Sequence, residues 1–156
     1  CDRVNGVLTV YTDSTMRIPI KTIRVSVGKA GTETPTGTWT MHRAGRWQEL
    51  MGPSWGQYGT HVVNGIFVHS VACGQANSYN LPVGEYLRLG NPASHGCIRA
   101  CVADAKWVWD NCNGSKIHIF DGTYTSNEAL KGPLGRKALT PLRGSKNFDP
   151  TDPACK

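Results

Sequence analysis

Long hydrophobic runs are missing from this sequence of 156 residues. A helix that crosses a membrane needs about 20 consecutive apolar residues, and no stretch approaches that length. The sequence also lacks the basic runs with interleaved aromatics that are typical of nucleic-acid-binding surfaces. It has no internal repeat and no linker between domains. We therefore predict neither a membrane span nor a nucleic-acid partner, and the length suits one domain with its own core.

Charged residues are also scarce, at 18%, and their balance is basic. There are 17 Lys and Arg against 11 Asp and Glu, which gives a formal net charge of +6. With 39% hydrophobic residues the composition is that of an ordinary globular chain. The positive charge favours an anionic partner, such as acidic lipid or an acidic cell-wall polymer, with nucleic acid as the weaker choice. A solvated basic surface without a specific partner is the alternative.

Cysteine, in contrast, is frequent for this length. The six cysteines indicate an oxidising compartment. The printed chain begins at Cys1 without a Met. We therefore expect the mature part of an exported protein, whose leader and any anchor lie outside this sequence.

Alternating apolar residues and frequent turns predict a mainly β fold, a sandwich or closed barrel. The predicted strands are Val4–Tyr11, Arg17–Gly28, Gly37–His42, Thr60–Val71 and Lys116–Phe120. Asn64-Gly65 divides the fourth of these into a hairpin. One helix is predicted from Val102 to Cys112, because its apolar residues recur at steps of three and four.

The segments between these elements are predicted to be irregular. Arg43–Gly59 is rich in Gly and Trp, and is expected to be a loop that either walls a cleft or covers the core. Gly84–Gly90 is expected to be a strand or a turn. The whole chain, 1–156, is predicted to be a single domain with its core at about 4–120 and an irregular tail at 121–156.

The richest chemistry lies in Ser94-His95-Gly96-Cys97. Cys97 is a candidate nucleophile, which needs a base within hydrogen-bond reach. Either His95 or His69, at the end of an apolar run, is a candidate for that base. The N–H groups of Gly96 and Cys97 are candidates for an oxyanion hole, because glycine lets the backbone turn toward a bound carbonyl oxygen.

These motifs together resemble those of a known family. His69-Ser70, followed by Ser94-His95-Gly96-Cys97-Ile98-Arg99, is similar to the signature of the L,D-transpeptidases of the YkuD type. Thr34-Pro35-Thr36-Gly37-Thr38-Trp39-Thr40 is similar to a further segment of that family. The resemblance covers roughly 4–120, and it implies a YkuD-like β-sandwich with one short helix near the reactive cysteine.

The resemblance also implies a reaction and a set of roles. Cys97 would attack a peptidoglycan stem tetrapeptide, form a thioester and pass the acyl group to a second stem, which gives a 3→3 cross-link. His69 would accept the proton of the thiol, and the carbonyl of Ser70 would hold the His69 ring. His95 would assist or brace the site. The family implies no metal or cofactor, inhibition by carbapenem-type β-lactams, and a bacterial protein at the cell wall; we further expect a monomer.

Two residues of the motif are predicted to touch the substrate. Arg99 is expected to pair with a substrate carboxylate, with a structural hydrogen bond to loop carbonyls as the alternative. Ser94 is expected to contact the substrate or to cap the turn.

The remaining cysteines suggest a bridge near the site. His69 to Cys73 and Cys97 to Cys101 are both four-residue steps. If His69 and Cys97 are neighbours, Cys73 and Cys101 could meet behind them, and we predict a disulfide between those two. Cys1, Cys112 and Cys155 are left with no assigned pairing.

Three other functions stay open on the sequence alone. Water in place of an amine acceptor would make the same site an L,D-carboxypeptidase. The spacings His69-x3-Cys73 and His95-x-Cys97-x3-Cys101 are also compatible with a structural zinc site, in which Cys97 would be inert. A disulfide-stabilised, non-catalytic cell-wall binding module is the third possibility.

Overall fold

The computed structural model describes residues 1–155, and strands dominate it. The strands are β1 (Val7–Tyr11), β2 (Pro19–Arg24), β3 (Gly37–Thr40), β4 (His42–Arg43), β5 (Trp47–Leu50), β6 (Ser54–Gln57), β7 (Thr60–Val63), β8 (Ile66–Ser70), β9 (Ile98–Ala100) and β10 (Lys116–Ile119). The helices are α1 (Val83–Leu87), α2 (Val102–Asn111) and a short 3₁₀ turn at Glu128–Leu130. The predicted mainly β fold is confirmed.

The strands form small, open sheets. β1 pairs with β2, β3 with β10 and β5 with β6, each pair antiparallel, and a four-stranded sheet has the order β4-β7-β8-β9. Within that sheet β8 and β9 run parallel. Among residues 1–155 no sheet closes on itself, so the closed-barrel alternative is wrong.

The main core lies between the hairpins, the four-stranded sheet and α2. Its residues are small and branched apolar side chains: Leu8, Ile23, Val25, Val27, Met41, Val62, Val68, Ile98, Ala100, Val108, Cys112, Ile117 and Ile119. Val68 and Ile98 come from the central β8–β9 pair, and Val108 comes from α2. The predicted helix is thereby confirmed, and its apolar face packs against the sheet that carries the motif residues.

Two local predictions are wrong. The segment Arg43–Gly59 contains the β5–β6 hairpin, not an irregular loop. The first four residues of the segment Gly84–Gly90 belong to helix α1, and only its last three form a turn. Tertiary packing decides this second case, because Tyr86 of α1 is completely buried and its hydroxyl donates to the carbonyl of Thr140 at 2.7 Å.

The tail after residue 120 is irregular but well anchored. Arg136 is buried and donates to the carbonyls of Asn5, at 2.9 Å, and Gly90, at 2.6 Å. It also forms two hydrogen bonds with the carboxylate of Glu128, at 2.7 and 2.6 Å. The tail is therefore fixed to the start of the chain and to the loop that precedes Cys97. Residue 156 of the predicted tail lies outside the described residues.

The predicted disulfide is not formed. All six cysteines are free thiols in this structure. The Cys73 thiol is directed toward the carbonyl of Val71, at 3.7 Å, and the Cys101 thiol toward the carboxylate of Asp104, at 3.2 Å. The shared four-residue step is not enough to bring the two sulfurs together, because the backbone of Cys73 is hydrogen-bonded to Trp55 of β6 whereas Cys101 directly precedes helix α2. Within residues 1–155, no helix is long and apolar enough to cross a membrane.

Candidate active site

The parallel pairing of β8 with β9 brings the motif residues together. Val68 lies opposite Ile98 and His69 opposite Arg99. Val68 and Ile98 point into the core, so the flanking side chains of Cys97 and His69 point to the other face. Strands about 4.8 Å apart, with a rise of about 3.3 Å per residue, put the Cα atoms of Cys97 and His69 about 8 Å apart. Their side chains share one face at that separation.

Cys97 lies directly before β9 in a half-buried position. Its sulfur accepts from the N–H of Phe67 at 3.4 Å and is directed toward the carbonyl of Gly65 at 3.5 Å. Burial raises the pKa of the Cys97 thiol, although the Phe67 N–H and the Arg99 charge oppose that effect. Within residues 1–155 the thiol has no hydrogen bond to His69. The resting Cys97 is therefore a protonated thiol.

His69 is almost completely buried, with 1% of its surface exposed. Its Nδ1 is hydrogen-bonded to the carbonyl of Ser70, as the family resemblance implies. Burial lowers the pKa of His69 to about 4, with a smaller lowering from Arg99 and an opposing contribution from the Ser70 carbonyl. The imidazole is therefore neutral at pH 7, and its Nε2 is the nitrogen left to accept a proton.

These two pKa shifts change the expected resting state. A reactive cysteine next to a histidine often exists as a thiolate–imidazolium pair. Here burial disfavours both charged forms, so the resting groups are a neutral thiol and a neutral imidazole. The arrangement suits a base that removes the proton as the sulfur attacks.

The turn before Cys97 is held from several sides. The Ser94 hydroxyl donates to the Cys97 carbonyl at 2.6 Å and accepts from the Gly96 N–H at 3.1 Å. The Thr34 hydroxyl donates to the Gly96 carbonyl at 2.7 Å. Gly96 has a φ of +129°, and a Cβ there would lie 2.8 Å from the Ile66 side chain. Only glycine fits this position.

Ser94 therefore caps the turn, which is one of the two roles expected of it. Its side chain is 1% exposed and is used within the loop. The Gly96 N–H, expected in the oxyanion hole, is already paired with the Ser94 hydroxyl. The sequence could not reveal this, because both expectations depended on how the four-residue turn folds back on itself.

Arg99 and His95, the other motif residues with predicted roles, lie in different surroundings. Arg99 forms an ion pair with Glu85 of α1, with 2.9 Å between Nη1 and Oε2. This carboxylate belongs to the chain itself, and the contact of Arg99 with a substrate stays a prediction. His95 is exposed, and no hydrogen bond to its ring occurs within residues 1–155. Of the two candidate bases, only His69 is buried and oriented.

The β5–β6 hairpin covers the His69 ring at very close range. A Cβ on Gly56 would lie 2.6 Å from His69 Nδ1 and 2.8 Å from its Cγ. The N–H of the next residue, Gln57, donates to the Ser70 hydroxyl at 2.8 Å. Trp47 and Trp55 belong to the same hairpin. The segment therefore walls the site, as one of the two sequence-based alternatives proposed.

The alternative of a structural zinc site requires several ligands to lie close together. Among residues 1–155, no three His, Cys, Asp or Glu side chains converge as ligands for a metal ion. His69 is bonded to Ser70 and Cys101 is directed toward Asp104. The candidate zinc ligands are therefore engaged in separate local contacts.

Comparison with known proteins identifies the family to which this chain belongs. The sequence model of the L,D-transpeptidase catalytic domain, YkuD, matches residues 2–130. The chain belongs to the YkuD family of L,D-transpeptidase catalytic domains. A putative L,D-transpeptidase of Bacillus subtilis, YciB, is 59% identical over 27 residues, which are 17% of this chain and 14% of that protein.

Solved L,D-transpeptidase structures share the fold. The enzyme from Stackebrandtia nassauensis is 21% identical, with a TM-score of 0.58, and the alignment covers 78% of this chain and 53% of that one. The enzyme from Mycobacterium smegmatis is 22% identical, with a TM-score of 0.56, over 76% of this chain and 56% of that one. The transpeptidase LdtMt1, solved in complex with imipenem, is 22% identical, with a TM-score of 0.57 and the same coverage. This chain thus spans about half the length of these relatives.

Several residues of this YkuD domain escaped the sequence analysis. Gly56, Gln57 and Glu85 carry no motif, and their contacts with the site arise from chain segments that only folding brings together. Thr34 lies in the Thr-Pro-Thr-Gly segment that resembles the family, but no sequence pattern links its hydroxyl to Gly96. A glycine in an aromatic-rich segment was the one available signal, because such glycines often permit close packing.

The close contact between Gly56 and the His69 ring predicts that a side chain at position 56 destabilises the fold. Gly56→Ala forces the hairpin or the ring to move, and we expect it to lower the free energy of unfolding by about 1–3 kcal/mol. Urea denaturation measures this change. Gly74→Ala is the matched control, because its Cβ meets only Asn80 Nδ2, at 3.8 Å, and it should change stability by less than about 0.5 kcal/mol. Equal stability of the two variants would contradict the packing described here.

The lowered pKa of His69 predicts how the stability of the protein depends on pH. Unfolded histidine titrates near pH 6.5, whereas folded His69 titrates at about 4. Between these values only the unfolded chain binds the proton, so stability should fall as the pH falls from about 6.5 to about 4. His69→Gln should lose less stability over this range, as measured by urea denaturation at each pH. Parallel curves for the two proteins would show that burial does not lower this pKa.

Proposed function

We propose that this chain is a cysteine-dependent L,D-transpeptidase that forms 3→3 cross-links between peptidoglycan stem peptides. One observation carries the proposal. Cys97 and His69 lie on the same face of the parallel β8–β9 pair, with His69 Nδ1 bonded to the Ser70 carbonyl. A nucleophile, a base and a group that orients the base are the parts that acyl transfer through a thioester requires.

The first half of the proposed reaction forms the thioester. The Cys97 sulfur attacks the carbonyl carbon at the L-centre of the diamino acid, mostly meso-diaminopimelate, in a donor tetrapeptide. Its proton passes to His69 Nε2, which then protonates the leaving amine as the bond to the terminal D-Ala breaks. The Ser70 carbonyl accepts from Nδ1–H throughout and stabilises the transient imidazolium.

The second half transfers the acyl group. The side-chain amine of an acceptor stem attacks the thioester carbonyl and gives its proton to His69. The sulfur leaves as the new amide forms, and it recovers a proton from the imidazolium. All of these groups come from one chain, and we propose an enzyme that acts as a monomer without a metal or a cofactor.

The negative charge that forms on the substrate's carbonyl oxygen during the attack needs a hydrogen-bond donor. The Gly96 N–H is engaged by the Ser94 hydroxyl, so the proposed donor is the N–H of Cys97. The bonds from Ser94 to the Cys97 carbonyl and from Thr34 to the Gly96 carbonyl fix the two peptides around this donor. A donor held in place before the reaction stabilises the oxyanion without a reorganisation cost.

The chemistry of the substrate supports the rest of the proposal. Peptidoglycan carries carboxylates, and the net charge of +6 favours its approach. A protein that acts on this polymer works outside the cytoplasmic membrane, so we propose an extracellular, cell-wall-associated enzyme. The imipenem complex of LdtMt1 supports carbapenems as acylating inhibitors of Cys97.

A donor and acceptor assay tests the function. The protein is incubated with a stem tetrapeptide that contains meso-diaminopimelate, and release of D-Ala and formation of a cross-linked dimer are measured by mass spectrometry. We expect both products, and an adduct of one imipenem on the intact protein. Cys97→Ala should lose all three signals. Cys1→Ala should retain them, since Cys1 lies outside the site.

The possible products discriminate between the alternatives. Release of D-Ala with a tripeptide but no dimer would identify an L,D-carboxypeptidase. Retained turnover by Cys97→Ala would remove Cys97 from the mechanism. A folded wild-type protein that neither reacts nor forms an imipenem adduct would contradict the proposed enzyme and favour a non-catalytic module.

A further inference from the structure

The C-terminal segment 149–155 lies beyond the part of the chain that the family model matches, which ends at residue 130. It is nevertheless one of the most buried parts of the tail. Asp149 is 2% exposed, and Asp152 is 3% exposed. Two carboxylates at this depth need partners, because an unpaired buried charge is strongly destabilising.

Asp152 finds its partner on the hairpin that covers His69. Its Oδ2 accepts from Nε2 of Gln57 at 2.8 Å, and its Oδ1 accepts from the N–H of Ala154 at 2.8 Å. Gln57 is also 3% exposed. The other atom of the amide, Gln57 Oε1, is buried and has no hydrogen-bond partner within residues 1–155. The bond to Asp152 is therefore what fixes the orientation of this amide.

Gln57 connects Asp152 to the active site through hydrogen bonds. Its backbone N–H donates to the Ser70 hydroxyl at 2.8 Å. The carbonyl of the same Ser70 bonds to His69 Nδ1. The preceding residue, Gly56, packs against the His69 ring. A displacement of Gln57 thus moves the residue that orients the ring and the residue that covers it.

Segment 149–155 also contacts helix α2, which directly follows strand β9. The Asp149 carboxylate accepts from the Val102 N–H at 2.8 Å, and the Thr151 hydroxyl accepts from the Ala103 N–H at 3.0 Å. These bonds cap the start of α2, which has no side-chain cap of its own from Cys101. The segment therefore contacts both β6, beside His69, and α2, directly after β9.

We propose that Asp152 is a positioning residue for His69 and that segment 149–155 is a built-in brace of the active site. The inference rests on the proposed function, because it assigns to Asp152 an effect on the base that activates Cys97. Asp152 contacts no reacting atom. It acts through Gln57, which sets the distance between the β5–β6 hairpin and the His69–Ser70 pair.

The test separates positioning from folding. Acylation of Cys97 by saturating imipenem gives a rate constant, which reports the geometry of the reacting groups, and an amplitude, which reports the folded fraction. Asp152→Ala should lower the rate constant by about tenfold or more, because small misplacements of catalytic groups are costly. Asp152→Asn should recover most of the rate, since its amide oxygen can accept from Gln57.

Asp13→Ala is the matched control. It removes an exposed carboxylate that accepts from the N–H of Thr15 at 2.9 Å in the turn between β1 and β2, and it should leave the rate constant unchanged. An Asp152→Ala protein with a lower amplitude but a wild-type rate constant would overturn the inference. If Asp152→Ala does not fold, Gln57→Met removes the same bond from the other side and should show the same slower acylation; a wild-type rate would again overturn it.

Failure of the proposed function and failure of the brace give different results. Wild-type protein that imipenem does not acylate would contradict the function and not the brace. The ¹H–¹⁵N spectrum of the imidazoles then decides the inference, because Asp152→Ala should shift the His69 Nδ1–H resonance and Asp13→Ala should not. An unchanged resonance would reject the brace.

Discussion

The parallel hydrogen bonding between β8 and β9 is the constraint on which the site depends. It fixes the register in which His69 lies beside Arg99, and it thereby puts Cys97 two residues away along the neighbouring strand. Side chains alternate between the faces of a sheet, so the core residues Val68 and Ile98 force their neighbours to the opposite face. A slip of one residue would bury the thiol in the core and expose its apolar neighbour.

Burial on that face then determines the electrostatics. The β5–β6 hairpin approaches so closely that Gly56 touches the His69 ring, and water is excluded from the imidazole. Desolvation lowers the pKa of His69 to about 4 and raises that of Cys97. The charged form of either group is unfavourable alone, and the proposed reaction creates and removes the charges within one transfer. The Ser70 carbonyl is the fixed dipole that makes a transient imidazolium tolerable.

Much of this could be predicted from the sequence, and the physical reason for each success is local. The alternation around Asn64-Gly65 predicted the β7–β8 hairpin, and the apolar spacing after Val102 predicted α2. The motif that contains Cys97 predicted the family, which the match over residues 2–130 confirms. Each of these signals lies within a short stretch of chain, where spacing alone carries the information.

The remaining features depend on contacts between distant segments. Arg99 meets Glu85, and Gln57 meets Asp152, 95 residues away. No periodicity in the sequence records such pairs, so the ion pair between Arg99 and Glu85 could not be predicted. The Cys73–Cys101 disulfide failed similarly, since equal spacing in sequence does not determine where two side chains point.

The pH dependence of Cys97 alkylation tests the central claim, a neutral thiol beside a neutral imidazole, most directly. Neutral iodoacetamide reacts with the thiolate, and peptide mass spectrometry assigns the modified cysteine. Because an ordinary thiol titrates near pH 8.5 and burial raises the pKa of Cys97, the alkylation rate should keep rising through pH 9 without an earlier plateau. A fast rate that is already constant below neutral pH would show a preformed thiolate–imidazolium pair and would contradict the account.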